Sequence, residues 1–304
     1  MDRDVRNSFK STSKGGEQIK QITVISGKGG TGKTTITAAF ASIAKDAVFA
    51  DCDVDAADLH LILKPIVKKT MEFNGLKIAS IDKEKCTKCK ICFENCKFDA
   101  IKEDIEIIKE SCEGCGVCRF VCPVDAVNMI DRSSGYSYIS ETRFGHMAHA
   151  MLKTAEEASG KLVTVVRENA KKIAEEKNKK LIIIDGPPGI GCPVISSITG
   201  VDIVLIVTEP TLSAIHDLER ILEVSEHFKI QAVVCINKFD INYDNSKKIE
   251  DYCKSKKIKI VGRLPYNNIV TDSMINEKTI IEYFKNGLSK DIIDMWNKIK
   301  ENMN

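Results

Sequence analysis

Eight cysteines recur with regular spacing in one short region of the chain. The run C-x2-C-x2-C-x3-C occupies residues 86–96 and returns at 112–122, a shift of 26 residues. The same shift relates "DAI" at 99–101 to "DAV" at 125–127, so the segment is a duplicated half-domain. Cysteines at this density in a chain without a secretory signal are more often metal ligands or redox groups than disulfides.

The repeated run resembles that of bacterial ferredoxins with two [4Fe–4S] clusters, in which proline follows the last cysteine. Pro123 keeps this pattern after the second run, whereas Lys97 departs from it after the first. Three thiolates in a tight loop bind one cluster, and the fourth, one helical turn further on, points to the other. Zinc is the alternative metal, but zinc sites usually show two C-x2-C pairs that are separated by a longer spacer. The implied ligand sets are Cys86, Cys89, Cys92 with Cys122, and Cys112, Cys115, Cys118 with Cys96.

A second chemical motif, "SGKGGTGKTT" at residues 26–35, lies near the start of the chain. It satisfies the phosphate-loop pattern G-x-x-x-x-G-K-[ST], between an apolar strand and a helix. The backbone N–H groups of such a loop surround phosphate oxygens, and the helix N-terminus adds positive partial charge. Lys33 should reach the β- and γ-phosphates, and the Thr34 hydroxyl should bind Mg²⁺. The predicted phosphate-binding residues are Gly27, Lys28, Gly29, Gly30, Thr31, Gly32, Lys33, Thr34 and Thr35.

Lys28, directly after the first glycine, is an additional lysine in this loop. "GKGGTGKTT" resembles the deviant phosphate loop of the MinD/ParA/Mrp ATPases, whose relatives include the nitrogenase iron protein. In that family the extra lysine reaches across a dimer to the partner's nucleotide. The resemblance therefore implies that Lys28 acts in trans, as an arginine finger does. The alternative is a solvated loop charge.

Other stretches match the same family. "DCDVDAADLH" resembles the first switch, in which Asp53 would orient the attacking water, with Asp55 as a less favoured substitute. "LIIIDGPPG" ends a strand with Asp185, which looks like the acid that holds Mg²⁺ through water. "CINKFD" resembles the strand end at which Asn237 would contact adenine. The implied catalytic residues are Lys28, Lys33 and Asp53, and the implied Mg²⁺ residues are Thr34, Asp53 and Asp185.

Strands and helices alternate along the parts of the chain that carry this resemblance, roughly 20–63 and 150–285. Apolar runs such as "QITVIS", "AVFAD", "KKLIIIDG" and "DIVLIVTEP" predict strands of a parallel, doubly wound sheet covered on both faces. Helical pattern is predicted over 146–178 and over 212–228. A last helix carries Ile292, Met295, Trp296 and Ile299 on one face, which favours packing against the sheet over anchoring in a membrane.

The predicted fold class is therefore α/β, a doubly wound and mostly parallel sheet of the deviant P-loop NTPase type. A small α+β ferredoxin-like domain is expected as an insert. The predicted divisions are a mobile extension at 1–20, an ATPase domain at 21–63 and 141–304, and the insert at 64–140.

Composition limits the other classes of protein. A formal charge of +2 over 304 residues gives no general argument for nucleic acid or an acidic membrane surface. No apolar run approaches the length of a membrane span, and the polar N-terminus is not a secretory signal. Twelve cysteines in such a chain favour a reducing compartment, so a cytoplasmic location is expected.

Together the motifs predict an ATPase in which ATP and Mg²⁺ close a homodimer, with hydrolysis stimulated by a partner. The favoured function is electron transfer through two [4Fe–4S] clusters to a redox protein. The alternative is an iron–sulfur carrier or assembly ATPase of the Mrp type, which passes clusters to an acceptor. A positioning role like that of MinD would leave the cysteines unexplained. A bridging metal role for Cys192, near the second switch, stays open.

Overall fold

The computed structural model describes residues 16, 18–153 and 159–303, apart from the side chain of residue 159. The described chain forms two compact units. The first comprises the described residues of Met1–Thr70, Ser137–Met151 and Ser159–Asn304, and the second those of Met71–Tyr136 and Leu152–Ala158. Most of the predicted N-terminal extension, residues 1–15 and 17, lies outside the described residues, and Lys20 already belongs to the first strand.

The sheet has nine strands in the described chain, in the order β3-β4-β5-β2-β6-β1-β7-β8-β9. The pairings from β5 through β9 are all parallel, which confirms the predicted mostly parallel α/β class. The strands are β1 (Lys20–Ser26), β2 (Ala47–Asp51), β3 (Ile66–Ile81), β4 (Val127–Thr142), β5 (Gly145–Leu152), β6 (Leu181–Pro188), β7 (Ile203–Thr208), β8 (Gln231–Asn237) and β9 (Lys259–Leu264).

Helices connect these strands, as parallel pairing requires. The helices are α1 (Lys33–Ile43), α2 (Leu59–Leu63), α3 (Ile91–Glu94), α4 (Val117–Phe120), α5 (Ser159–Glu176), α6 (Cys192–Ile198), α7 (Leu212–His227), α8 (Tyr243–Ser255), α9 (Ile269–Ile275), α10 (Ile280–Tyr283) and α11 (Leu288–Met303). Side chains cap several of them. Thr211 accepts a hydrogen bond from the N–H of Ala214, and Asn242 accepts one from the N–H of Asn245.

The core of the first unit lies between the central strands and the helices beside them. Strands β1 and β7 are almost wholly buried, and β7 is nearly all apolar, as expected for a sheet covered on both faces. The apolar face of α11 packs into the same core, and the ring of Trp296 lies 4.7 Å from that of Phe40. This confirms the predicted packing of the last helix. Within the described part of the chain, no helix is both long and apolar enough to cross a bilayer.

One predicted element is wrong in its first part. The helical pattern expected from residue 146 is a strand over Gly145–Leu152, and the helix described after it is Ser159–Glu176. Strand β5 pairs in parallel with β2, with His146 opposite Val48 and Ala148 opposite Ala50. The available edge of β2 gives this segment its hydrogen bonds, which overrides a weak helical pattern.

The second unit repeats its backbone conformation along with its sequence. Helices α3 and α4 follow corresponding cysteines of the two runs. Two residues between the cysteines of each run have positive φ: Lys88 and Lys90 at 56° and 64°, and Gly114 and Gly116 at 65° and 76°. Asp99 and Asp125, at 50° and 49°, form another matching pair. The duplication is therefore conserved in local geometry and not only in cysteine spacing.

Candidate functional site

The glycine-rich loop joins β1 to α1, at the carboxyl edge of the parallel strands. Gly32 has φ 92°, and a Cβ on it would lie 2.6 Å from Nδ2 of Asn237. A Cβ on Gly27 would lie 2.2 Å from the Cβ of Asp217. Both positions therefore require glycine. Gly32 has a positive φ and no room for a side chain, and Gly27 has no room for a side chain. Their backbone is held close to neighbouring elements, which leaves a compact loop at the helix N-terminus.

Two threonines of this region have different environments. The Thr31 hydroxyl is buried and has no hydrogen-bond partner among the described residues. Thr35 lines the adjoining pocket, and the side chain of Lys33 is 5% exposed. Gly29 and Gly30 are exposed on the loop. A buried unpartnered hydroxyl beside a buried lysine is what a loop would present to phosphate oxygens.

Thr34 and Asp185 are in direct contact. The Thr34 hydroxyl donates to Oδ2 of Asp185 at 2.7 Å, and the Thr37 hydroxyl donates to Oδ1 at 3.0 Å. A hydroxyl and a carboxylate are hard oxygen ligands of the kind that Mg²⁺ prefers. Mg²⁺ is usually bound through one or two carboxylates, substrate phosphates and water, so this pair fits such a site.

Three carboxylates meet where β2 ends. Asp185 lies inside β6 and not at its end, where the sequence had predicted it, because the strand continues to Pro188. Asp51 lies opposite Asp185 in the register of the two strands, and Asp53 follows two residues later. Burial raises the pKa of Asp53 to about 6, with Lys33 opposing the shift and Asp55 adding to it. Burial also raises the pKa of Asp185 to about 6, against the hydrogen bond from Thr34. A cation placed here would favour the ionised forms.

Asp51 was not among the residues predicted from sequence. Its carboxylate accepts hydrogen bonds from the N–H of Asp53 at 3.2 Å and the N–H of Leu59 at 3.3 Å. Burial raises its pKa well above the usual range, and the charge of Asp185 adds to the effect. Asp51 therefore shapes the segment that carries Asp53. A fully apolar strand ending in an acid was the signal available in the sequence.

Asn237 lies beside the loop, at the end of β8. Its side-chain amide donates to the backbone carbonyl of Thr31 at 2.8 Å. It also lines an open pocket of about 340 Å³, within the size range of small-molecule sites. Sequence reasoning missed the segment after β9 that forms another wall. That segment contributes Pro265 and Tyr266, and the remaining walls include Lys33, Thr34, Leu288 and Ile292.

Lys28 is held by its own chain. Its Nζ lies 2.7 Å from Oε1 of Glu209 and donates to the Thr211 hydroxyl at 3.4 Å. Nζ of Lys238 lies 3.2 Å from the other oxygen of Glu209 and also donates to the carbonyl of Gly30. Burial would raise the pKa of Glu209, but hydrogen bonds from both lysines outweigh it and lower the pKa. Glu209 and Lys238 are site residues that sequence reasoning missed.

The first predicted cysteine set comes together in the second unit. Cys86, Cys89, Cys92 and Cys122 line one pocket, and all four are free thiols. The Sγ of Cys122 accepts a hydrogen bond from the N–H of Ala126 at 3.3 Å. Thiolates with backbone N–H donors are typical ligands of iron–sulfur clusters. The donor set fits such a group.

Three cysteines of the second predicted set are neighbours. Burial raises the pKa of Cys118, and the neighbouring thiols of Cys112 and Cys115 add to the shift. The Sγ of Cys112 accepts a hydrogen bond from the N–H of Ala79 at 3.5 Å. Cys96, the fourth member, packs with Cys118 against a small apolar cluster of Cys92, Ile101 and Ile105. Cys86 of the first set packs against the same cluster.

No group of three or more His, Cys, Asp or Glu side chains within residues 16, 18–153 and 159–303 is arranged to hold a metal ion. A [4Fe–4S] cluster is larger than one ion, and each thiolate binds a different iron. The ligands of a cluster therefore lie further apart than those of a single ion. Of the other cysteines, Cys52, Cys235 and Cys253 are buried, and Cys192 is exposed at the start of α6.

Comparison with known proteins places these features in a family. The chain is 36% identical to the uncharacterized protein MJ0578 of Methanocaldococcus jannaschii over 286 residues, which cover 93% of this chain and 97% of that protein. A second protein of that organism, MJ0579, is 27% identical over 82% of this chain and 93% of its own length.

Solved structures agree in fold. The cell division ATPase MinD of Pyrococcus furiosus has a TM-score of 0.58 and 18% identity, over 93% of this chain and 98% of that one. MinD of Pyrococcus horikoshii, complexed with Mg-ADP, has a TM-score of 0.58 and 16% identity, over 93% and 96%. Residues 22–280 match the family described as the CobQ/CobB/MinD/ParA nucleotide binding domain. The chain therefore belongs to the CobQ/CobB/MinD/ParA nucleotide-binding family.

Proposed function

We propose that this protein binds and hydrolyses ATP with Mg²⁺ as a homodimer, and couples nucleotide state to electron transfer through two [4Fe–4S] clusters to a partner protein. The observation that carries the redox part is the grouping of Cys86, Cys89, Cys92 and Cys122 around one pocket. These cysteines come from both repeats, as a ferredoxin-like exchange of the fourth ligand requires. The nucleotide part rests on family membership and on the loop.

The residues of the nucleotide site have separate roles in this proposal. Lys33 neutralises the β- and γ-phosphates, and the free hydroxyl of Thr31 donates to a phosphate oxygen. The hydroxyl oxygen of Thr34, whose proton is donated to Asp185, would hold Mg²⁺, which would supply charge stabilisation at the phosphates. Asp53 orients the attacking water. The Mg-ADP complex of the Pyrococcus horikoshii relative supports this assignment of ligand class.

Lys28 leaves Glu209 when the dimer closes and reaches the nucleotide of the other protomer. Its ion pair is only partly buried, with 37% of the lysine side chain exposed, so the exchange carries a modest cost. A close paralogue is the alternative dimer partner, because one organism holds two relatives that each match most of this chain.

Coupling between the two functions follows the chain. The segment after Asp53 passes through the short helix α2 into β3, which enters the second unit at residue 71. The cysteine-bearing unit begins at Met71, 18 positions after Asp53, so the two segments are close along the chain. We propose that this connection transmits nucleotide state to the clusters.

The second candidate is a carrier of iron–sulfur clusters. One cysteine of each predicted set, Cys89 and Cys115, is exposed, which favours access by an acceptor. Two complete four-cysteine sets favour stable binding and therefore electron transfer. A chain used for spatial positioning would need neither set.

Anaerobic purification followed by iron and acid-labile sulfide counts tests the redox part. About eight irons per chain are expected for two [4Fe–4S] clusters, and about two would contradict the proposal. ATP hydrolysis is measured on the same sample. Incubation with an apo acceptor separates the two candidates, because transfer faster than cluster decay would favour the carrier.

A further inference from the structure

The two halves of the cysteine repeat differ in charge where they match in backbone. The first loop reads "CTKCKIC" and carries Lys88 and Lys90, whereas the second reads "CEGCGVC" and carries Glu113. The residues that correspond to the two lysines are Gly114 and Gly116. The duplicated loops therefore present opposite charges on one backbone conformation.

The lysines occupy positions that favour glycine. All four residues at these positions have positive φ, between 56° and 76°. A residue with a side chain is strained in this region, whereas glycine is not. The first loop thus keeps two positive charges at positions where the second loop has the unstrained residue.

These lysines lie beside the first cysteine set. Both are exposed, and both line the pocket that holds Cys86, Cys89, Cys92 and Cys122. Lys90 makes an exposed ion pair with Glu103 at 2.7 Å, which water and other anions can replace. Lys88 has no ion pair within the described part of the chain. The exposed side chain of Val124 adds an apolar contact at the same pocket.

We propose that this lysine-bearing loop is the docking site for an acidic one-electron carrier protein, and that electrons leave through the cluster held there. The proposal rests on the proposed redox function. Docking lets one electron pass, so the cluster is oxidised by one electron and the carrier's centre is reduced by one. Positive charge steers an acidic partner to this loop, while Glu113 repels it from the other.

The same charges bias the direction of transfer. Reduction potentials of iron–sulfur clusters depend on nearby charge and solvent exposure. Two lysines stabilise the added electron at the first site, whereas Glu113 destabilises it at the second. Electrons therefore collect at the site beside the lysines, from which the docked carrier takes them.

The test is the double variant Lys88→Gly/Lys90→Gly, which gives the first loop the residues of the second. The probe is an acidic plant-type [2Fe–2S] ferredoxin, titrated calorimetrically with both proteins oxidised. We expect binding to weaken about tenfold at low ionic strength, and the wild-type affinity to fall with added salt. Lys88→Arg/Lys90→Arg should keep the affinity. The matched control, Lys102→Gln/Lys109→Gln, removes two exposed lysines of the same unit and should bind normally.

A redox titration monitored by electron paramagnetic resonance gives a second readout. In the glycine variant one midpoint potential should shift downward and the other should stay. Unchanged ferredoxin affinity in the glycine variant, or an equal loss in the control, would overturn the docking site. Iron counts on the same sample separate the docking proposal from the proposed redox function. Lysine-dependent ferredoxin binding by a chain without cluster iron would overturn the redox function and retain the docking surface.

Discussion

Nζ of Lys28 lies 2.7 Å from Oε1 of Glu209 in the same chain. The lysine expected to act across a dimer is therefore paired within its own protomer. Glu209 also binds Lys238, so this carboxylate connects the phosphate loop to the ends of β7 and β8. In the proposed dimer, closure would compete with this contact, so Glu209 should determine how readily the protein closes.

Glu209→Gln should favour ATP-dependent dimerisation, because it removes the charge that holds Lys28. An ion pair at a partly exposed site contributes up to about 1 kcal/mol, and the homodimer breaks one in each protomer, so the dimer dissociation constant should fall up to about thirtyfold. Sedimentation with a non-hydrolysable ATP analogue measures this constant. Glu223→Gln, an exposed change on α7, serves as the control. Weaker dimerisation of the Glu209→Gln variant would contradict competition between Glu209 and the dimer for Lys28.

Lys28→Ala should abolish nucleotide-dependent dimerisation and reduce ATP hydrolysis by about 10³-fold or more, the range for charges supplied in trans. Nucleotide binding by the single chain should be retained, since Lys33 remains in place. The control is Lys45→Ala, which removes an exposed lysine after α1. Unchanged hydrolysis and unchanged dimerisation would refute the role in trans.

The affinity for Mg²⁺–nucleotide should depend on pH below neutrality. The pKa values of Asp53 and Asp185 are raised from 3.8 to about 6, so both bind protons in the free protein near pH 5. Ligand binding to the ionised forms must release these protons, and affinity should fall by up to about tenfold per pH unit for each proton below pH 6. Titrations of Mg-ADP between pH 5 and 8 measure this effect. Asp53→Asn should flatten the profile.

The same raised pKa values determine how the stability of the ligand-free protein changes with pH. An acid with a raised pKa in the folded state favours folding below the unfolded value and loses that contribution as pH rises through the folded value. The free protein should therefore lose stability between about pH 4 and pH 6 at these groups. Denaturation of Asp53→Asn should show a smaller loss over this interval. An identical pH profile in the two proteins would contradict the raised pKa of Asp53.

The exchange of the fourth cysteine between repeats is separately testable. Cys122→Ser should remove the cluster of the first run, and Cys96→Ser that of the second, so that iron falls from about eight to about four in each. Lys88→Gly/Lys90→Gly should alter the spectrum that survives in Cys96→Ser and not the one that survives in Cys122→Ser. Cys253→Ser, which removes a buried thiol of the first unit, is the control. If Cys96→Ser instead removed the cluster of the first run, and Cys122→Ser that of the second, each run would hold its own fourth ligand.

Trp296 should support both the last helix and the nucleotide pocket. Its ring packs against Phe40, and α11 also supplies Leu288 and Ile292 to the pocket wall. Trp296→Ala should lower the free energy of unfolding by about 3–5 kcal/mol, measured by chemical denaturation. Ile293→Ala, on the exposed side of the same helix, should cost at most about 1 kcal/mol. Equal losses would contradict this assignment.

Local patterns made much of the fold predictable. The phosphate loop, the buried strands and the apolar face of α11 each follow from residues close in sequence. Gly145–Leu152 was mistaken for helix because its strand conformation depends on pairing with β2, about a hundred residues earlier. Such a partner leaves little trace in a short apolar run.

The missed site residues have a related physical origin. Glu209 and Lys238 meet the phosphate loop only because parallel strands end at one edge of the sheet. Asp51 lies at the end of a buried strand, where sequence reasoning gave attention to the next acid instead. Each is distant in sequence from at least one of its contacts, so spacing within a motif could not identify it.

Burial divides the thiols of this chain into those that oxidants reach and those that they do not. Burial raises the pKa of Cys235 to about 12 and that of Cys253 to about 11, which leaves these thiols unreactive. Cys89 and Cys115 of the second unit are exposed, as is Cys192 of the first, so oxidants reach thiols in both units. A sample handled in air should lose the proposed clusters and still bind nucleotide. Such a preparation would pass for a simple ATPase, and the proposed redox chemistry would be lost before the first assay.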